Sequence, residues 1–132
     1  MDVTGGEWYA NNVAWASSRE VMNGMGDGSF APDAPTTQGM MEQILYNLDG
    51  NALIAPAGGK AWWTVADGWA DGTGVTNGVA AHDPSAPATR EQDIVMMFNY
   101  AKAKGYDTTA RADLSTFSDA DGVLDWAREA VA

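Results

Sequence analysis

The chain of 132 residues repeats itself, and that constrains its fold more than any composition figure. Sliding it by 54 positions lays Trp8 on Trp62, Trp15 on Trp69, Ala16 on Ala70, Val21 on Val75, Asn23 on Asn77 and Gly24 on Gly78. These are six identities in the 17 positions from 8 to 24, where background usage gives roughly one. Beyond a two-residue deletion the shift becomes 52, and Pro32, Ala34, Pro35 and Thr37 fall on Pro84, Ala86, Pro87 and Thr89. A shift of 118 then places Trp126, Val131 and Ala132 on Trp8, Val13 and Ala14, so a third copy begins before Ala132. We divide the chain, as one domain over 1–132, into repeat one (2–50), a connector (51–60), repeat two (61–105), a second connector (106–114) and a partial repeat three (115–132).

Each copy reads as helix, glycine-rich loop, helix. Tyr9, Val13 and Ala16 share one face at helical spacing, and Gly24 with Gly26-Asp27-Gly28 then turns the chain out of the helix. Thr37 is an N-cap candidate ahead of an apolar stripe of Met41, Ile44, Leu45 and Leu48. In the second copy Thr89-Arg90-Glu91-Gln92 has the form of a capping box before Ile94, Met97, Phe98 and Ala101. The fold class is therefore mainly α, with room for very short strands near Val21-Met22 and Val75. At helical spacing aromatics and methionines are more often core, so Trp15, Trp69 and the pairs Met40-Met41 and Met96-Met97 are expected to be buried.

Charge excludes several functions. With 18 acidic residues against 7 basic, the net charge is -11, and sequence-independent nucleic-acid binding loses the Lys and Arg that would displace counterions. Asp outnumbers Glu, which places much of the charge in turns. The Asp-rich loops at 67–71, 118–122 and 26–28 lack the spacing of a calcium-binding EF-hand loop. Without cysteine there is no disulfide, thiolate nucleophile or cysteine-ligated zinc. A hydrolytic triad lacks a positioned base, the one histidine being His82 in a loop, so neither an enzyme nor a cofactor or metal is expected. No apolar run reaches the roughly 18 residues that would cross a bilayer, and the opening residues do not form a signal peptide.

The ordered series Trp8-Tyr9, Val13-Ala14-Trp15-Ala16, Asn23-Gly24, Gly26-Asp27-Gly28-Ser29-Phe30, Pro32-Asp33-Ala34-Pro35 and Thr36-Thr37 resembles the S-layer homology (SLH) repeat of bacterial cell-surface proteins. Thr89-Arg90-Glu91-Gln92 stands where that family carries a threonine-arginine signature, and Phe117-Ser118-Asp119 is similar to the opening of a further repeat. The resemblance implies a pseudo-threefold prism of repeats at the bacterial surface that binds secondary cell-wall polysaccharide in grooves between neighbours and so anchors a secreted protein. It further implies ligand-binding roles for Arg90 with Thr89 and Glu91, for Trp8, Trp62 and Trp126 as faces for sugar rings, and for Asp27 and Gly28.

Four departures mark this chain off from that pattern. Repeat one carries Gln38, an uncharged side chain counted with the candidate ligand-binding residues, at the position of Arg90. Repeat two replaces the Gly-Asp-Gly-Ser-Phe loop by Val79-Ala80-Ala81-His82. Asp67 and Asp93 stand where the family has apolar side chains, and the third copy stops about one helical turn in. The truncation predicts a chain that is unstable alone or completes its prism with another repeat or protein chain. Two readings therefore stand beside glycan anchoring: a protein-interaction module of the same fold, and an acidic mimic of nucleic acid that fills a basic groove.

Overall fold

A computed structural model describes residues 2–132. The chain is mainly helical, with α1 (Ala10–Ser18), α2 (Gln38–Leu48), α3 (Thr64–Thr73), α4 (Arg90–Ala103) and a single turn, α5 (Arg128–Val131). Three short 3-10 turns punctuate the connectors and the third copy. Repeat one thus supplies α1 and α2, repeat two α3 and α4, and the third copy α5.

Capping sets where the second helix of each repeat begins. Thr37 accepts from the Met40 N–H at 3.2 Å ahead of α2. At α4 the full box forms: Thr89 Oγ1 accepts from the Gln92 N–H at 3.2 Å, and Gln92 Oε1 accepts from the Thr89 N–H at 2.9 Å. The first helices end alike, because the N–H of Val21 returns to the Ala16 carbonyl at 3.0 Å and that of Val75 to Ala70 at 2.8 Å. That 6→1 closure needs a left-handed residue just before the valine. Gly74 supplies it in repeat two at φ +79°, whereas Glu20 is forced into it in repeat one at φ +57°.

Four helices share the core. Met41 and Leu45 of α2, Ala70 of α3, Val75 and Val79 of the following turn, and Val95, Met96 and Tyr100 of α4 pack with Ala127 at the start of α5. Thus α2 packs on α3 and α4, and α4 packs on α5. Trp69 closes the α3 side edge-on to Tyr46, with ring centroids 5.6 Å apart, and tilts against Tyr100 at 6.3 Å.

Helix α1 contributes nothing to this cluster, and that overturns one expectation. Trp15, the counterpart of Trp69, is 50% exposed with the Arg19 guanidinium 4.6 Å above its ring. Trp69 is covered because α2 precedes α3 and lies on it; no helix among the described residues covers α1 in the same way. The buried stripe of α4 also differs from the expected one. It runs through Gln92, Val95, Met96 and Tyr100, while Met97 is exposed and Phe98 lies half-buried beneath Lys102 and Arg111. Since α4 is flanked by α2 on one side and α5 on the other, its covered face is set by both neighbours rather than by its most apolar stripe. Leu48 is likewise exposed. No strand pairing occurs at Val21-Met22 or Val75; among the described residues a lone antiparallel bridge joins Thr37 to Pro87.

Candidate functional site

The segments that lead into α2 and α4 run antiparallel, side by side, and make the seam between repeats one and two. Across it the Ala88 N–H donates to the Thr36 carbonyl, the Gln38 N–H to Ala86 and the Gly39 N–H to Pro84, at 2.8, 3.0 and 2.9 Å. The approach is close enough to demand glycine at position 39, where a Cβ would sit 2.8 Å from the Pro84 carbonyl oxygen and 2.9 Å from the Trp63 Cβ. Gln38 is 1% exposed and its Oε1 accepts from the Asp83 N–H at 3.1 Å. It is a buried peg of the seam rather than a group facing a groove.

At the junction of repeat two with the third copy, Glu91 Oε1 accepts from the Leu124 N–H at 2.9 Å and ties the first turn of α4 to the segment before α5. Arg90, the first residue of α4, is exposed there and takes no part in the ion pairs among the described residues. Thr89 spends its hydroxyl on the cap. Trp126 lies half-buried against the core. The structure therefore brings Thr89, Arg90 and Glu91 together at one end of α4, beside the third copy.

The other expected site residues lie apart from them. Trp8 is 88% exposed and lies edge-on to Tyr9, at 5.4 Å. Trp62 is half-exposed, edge-on to Trp63 at 5.6 Å, on the rim of an apolar groove of about 810 Å³ that runs between Phe30, Ile44 and Ile54. Asp27 is already engaged, since its Oδ1 accepts from the Ser29 N–H at 2.9 Å and the Ser29 hydroxyl at 2.6 Å, which holds its carboxyl below the ordinary range. Gly28 makes that turn possible at φ +91°.

The same aspartate turn recurs at Asp83 with Ser85, Asp107 with Thr109 and Asp113 with Ser115. Four of the 18 acidic side chains are therefore bound up in such turns. One further cluster joins residues distant in sequence. His82 folds onto Glu42, a carboxylate buried in the middle of α2, and its only sequence signal is the break that Glu42 makes in an apolar stripe.

Residues 2–39 match the family model of the S-layer homology domain. No curated protein and no solved structure matches the chain. Domains of this family are cell-surface anchoring modules that bind cell-wall polysaccharide, not enzymes, and their presence implies association with the bacterial surface. The match runs from the first residues through α1 and its loop to the start of α2, and it supports assigning the chain to the SLH-domain family.

Proposed function

We propose that this chain holds its parent protein to the bacterial envelope by binding an acidic cell-wall polysaccharide where repeat two meets the third copy, with Arg90 as the anionic-group contact. The observation that carries the reading is the state of Arg90 against that of Gln38. Arg90 projects from the N-terminus of α4 without a carboxylate partner among the described residues, while its counterpart is buried and committed to backbone. A planar guanidinium beside a helix N-terminus suits a carboxylate such as a pyruvyl substituent, which can take two parallel N–H donors. Glu91 positions the site through its bond to Leu124, and Thr89 keeps the helix start in register. One groove rather than two then serves the ligand.

The test is a pull-down on purified Gram-positive sacculi before and after extraction of the wall polymers. Binding that disappears with extraction, and that falls about tenfold or more in Arg90→Ala, supports the reading. Retention by extracted walls, or full binding by a folded Arg90→Ala, refutes it.

One observation favours a second reading, a protein partner. The apolar groove beside α2, with Leu53, Ile54 and Trp62 exposed along it, offers a surface that a sugar polymer does not require. Sedimentation distinguishes the two: a partner repeat or sister chain seated there gives a concentration-dependent assembly, whereas a glycan-only module sediments as a monomer.

A further inference from the structure

Three departures from the internal repeat converge on one point. Glu42 of α2 stands where repeat two has Ile94, Asp67 of α3 stands where repeat one has Val13, and His82 belongs to the loop that replaces the glycine-rich turn. His82 Nε2 lies 2.5 Å from Glu42 Oε1 and 3.8 Å from Asp67 Oδ1, and the three groups can present one ligand atom each within 4.8 Å of one another. The Glu42 side chain is 0% exposed, and its second oxygen, Oε2, is buried without a hydrogen-bond partner. A buried carboxylate with an orphaned oxygen is strongly disfavoured unless a cation or further donors meet it. His82 and Asp67 keep 26% and 35% of their side-chain exposure, so a path from solvent reaches the cluster.

We propose that Glu42, Asp67 and His82 form a binding site for a first-row divalent metal ion of the zinc class, one that clamps α2 of repeat one to α3 and the following loop of repeat two. The donor set is one imidazole nitrogen and two carboxylates, which Zn²⁺ takes at about 2.0–2.2 Å, with the remaining coordination position open to water. Neighbouring ligands then stand about 3.4 Å apart. The His82–Asp67 separation is already close to that, and the His82–Glu42 pair opens by under an ångström once an ion replaces the hydrogen between them. Ligation through Oε1 sets a cation against the buried Glu42 carboxylate, whose Oε2 otherwise has no partner. The site differs from the proposed Arg90 contact in both location and charge, since it draws in a cation and lies at the other seam.

Calorimetric titration of the whole chain with ZnCl2, with Co²⁺ absorption in the visible as a second reporter, tests this directly. The expected result is saturable one-to-one binding and a melting midpoint raised by about 5–10 °C at zinc 100-fold above Kd. His82→Ala and Asp67→Asn, each checked for folding by circular dichroism, are expected to weaken binding about tenfold or more. If His82→Ala fails to fold, Asp67→Asn, at a partly exposed position, decides alone. Absence of saturable binding to the unsubstituted chain up to about 1 mM zinc, or a smaller loss in either folded variant, overturns the site.

Discussion

Asn47 and Asn99 hold the same place in the two repeats: each donates its side-chain amide to the carbonyl of the valine that closes the turn after the first helix of its own repeat. Asn47 reaches Val21 at 3.1 Å and Asn99 reaches Val75 at 2.9 Å. Asn99 also reaches the Asn77 carbonyl at 2.8 Å, and Asn47 is steadied by Gln43 at 2.8 Å. In each repeat the second helix thus grips the turn that closes the first. Asn99→Ala leaves two carbonyls without this donor and is expected to lower unfolding free energy by about 1–3 kcal/mol, read by urea denaturation. An Asn99→Ala chain with an unchanged midpoint would show that water replaces the amide at no cost.

Glu20 holds a backbone conformation that its counterpart Gly74 adopts without strain. Both provide the left-handed residue from which Val21 or Val75 returns to the helix. Glu20 is exposed, and its side chain makes none of the hydrogen bonds or ion pairs found among the described residues, so Glu20→Gly removes strain at little other loss. We expect it to stabilise the chain by about 0.5–1 kcal/mol, the left-handed penalty offset in part by the greater unfolded freedom of glycine. The reciprocal change, Gly74→Ala, is expected to destabilise, the more so because a Cβ there would meet Asn77 Nδ2 at 2.8 Å. Thermal melts of both variants decide the matter by sign.

Trp15 and Trp69 are one position in sequence and two environments in the fold. Trp69→Ala removes a ring wedged between Tyr46 and Tyr100 and is expected to cost about 3–5 kcal/mol. Trp15→Ala removes a half-exposed ring with the Arg19 guanidinium stacked on it and is expected to cost under about 1.5 kcal/mol. Equal losses in denaturant titrations would mean that α1 is packed in solution as α3 is.

The same pair shows what was legible beforehand and what was not. The repeat, the α-helical class and the caps at Thr37 and Thr89 follow from local chemistry, which a linear sequence carries in full. Which copy of a repeated tryptophan is covered depends on whether a neighbour precedes it, and that is a property of assembly. The buried face of α4 departs from its most apolar stripe for the same reason, since two flanking helices choose it. The Glu42–Asp67–His82 cluster joins groups 15 to 40 positions apart in sequence, with no spacing rule to flag them.

Gln38 and Arg90 are predicted to separate stability from binding. Gln38→Ala strips the Asp83 N–H of its acceptor inside a buried seam and is expected to cost about 1–3 kcal/mol in stability. Below its lowered melting point it should still bind walls as well as the unsubstituted chain. Arg90→Ala should show the reverse, a near-native melt with reduced binding. Restoring the family pattern by Gln38→Arg should not create a second groove, because the guanidinium would enter a position that is 1% exposed. Gained wall affinity in Gln38→Arg would refute the assignment of Gln38 as a seam residue.

Asp93 should leave its mark on the pH profile. Burial pushes its carboxyl above the ordinary 3.8, and Oδ1 is buried without a partner. At a pH between the ordinary and the raised value the folded chain holds a proton that the unfolded chain has released, so folding binds a proton and stability falls as pH rises. The contribution is complete below the ordinary value and lost as pH climbs through the folded one. Asp2, Glu7, Asp27, Asp83, Asp107 and Asp113 run the other way, each held down by hydrogen bonds that the folded chain provides, with Glu7 at about 2. They weaken the fold as pH drops through their lowered values and mask Asp93 in the total. The difference between Asp93→Asn and the unsubstituted chain isolates it. That difference should be small near pH 3 and should grow in favour of the variant above the ordinary carboxylate range, levelling off once Asp93 is ionised in both states. Urea titrations at intervals from pH 3 to 8 measure it, and a pH-independent difference would mean that Asp93 titrates in the folded chain as it does in the unfolded one.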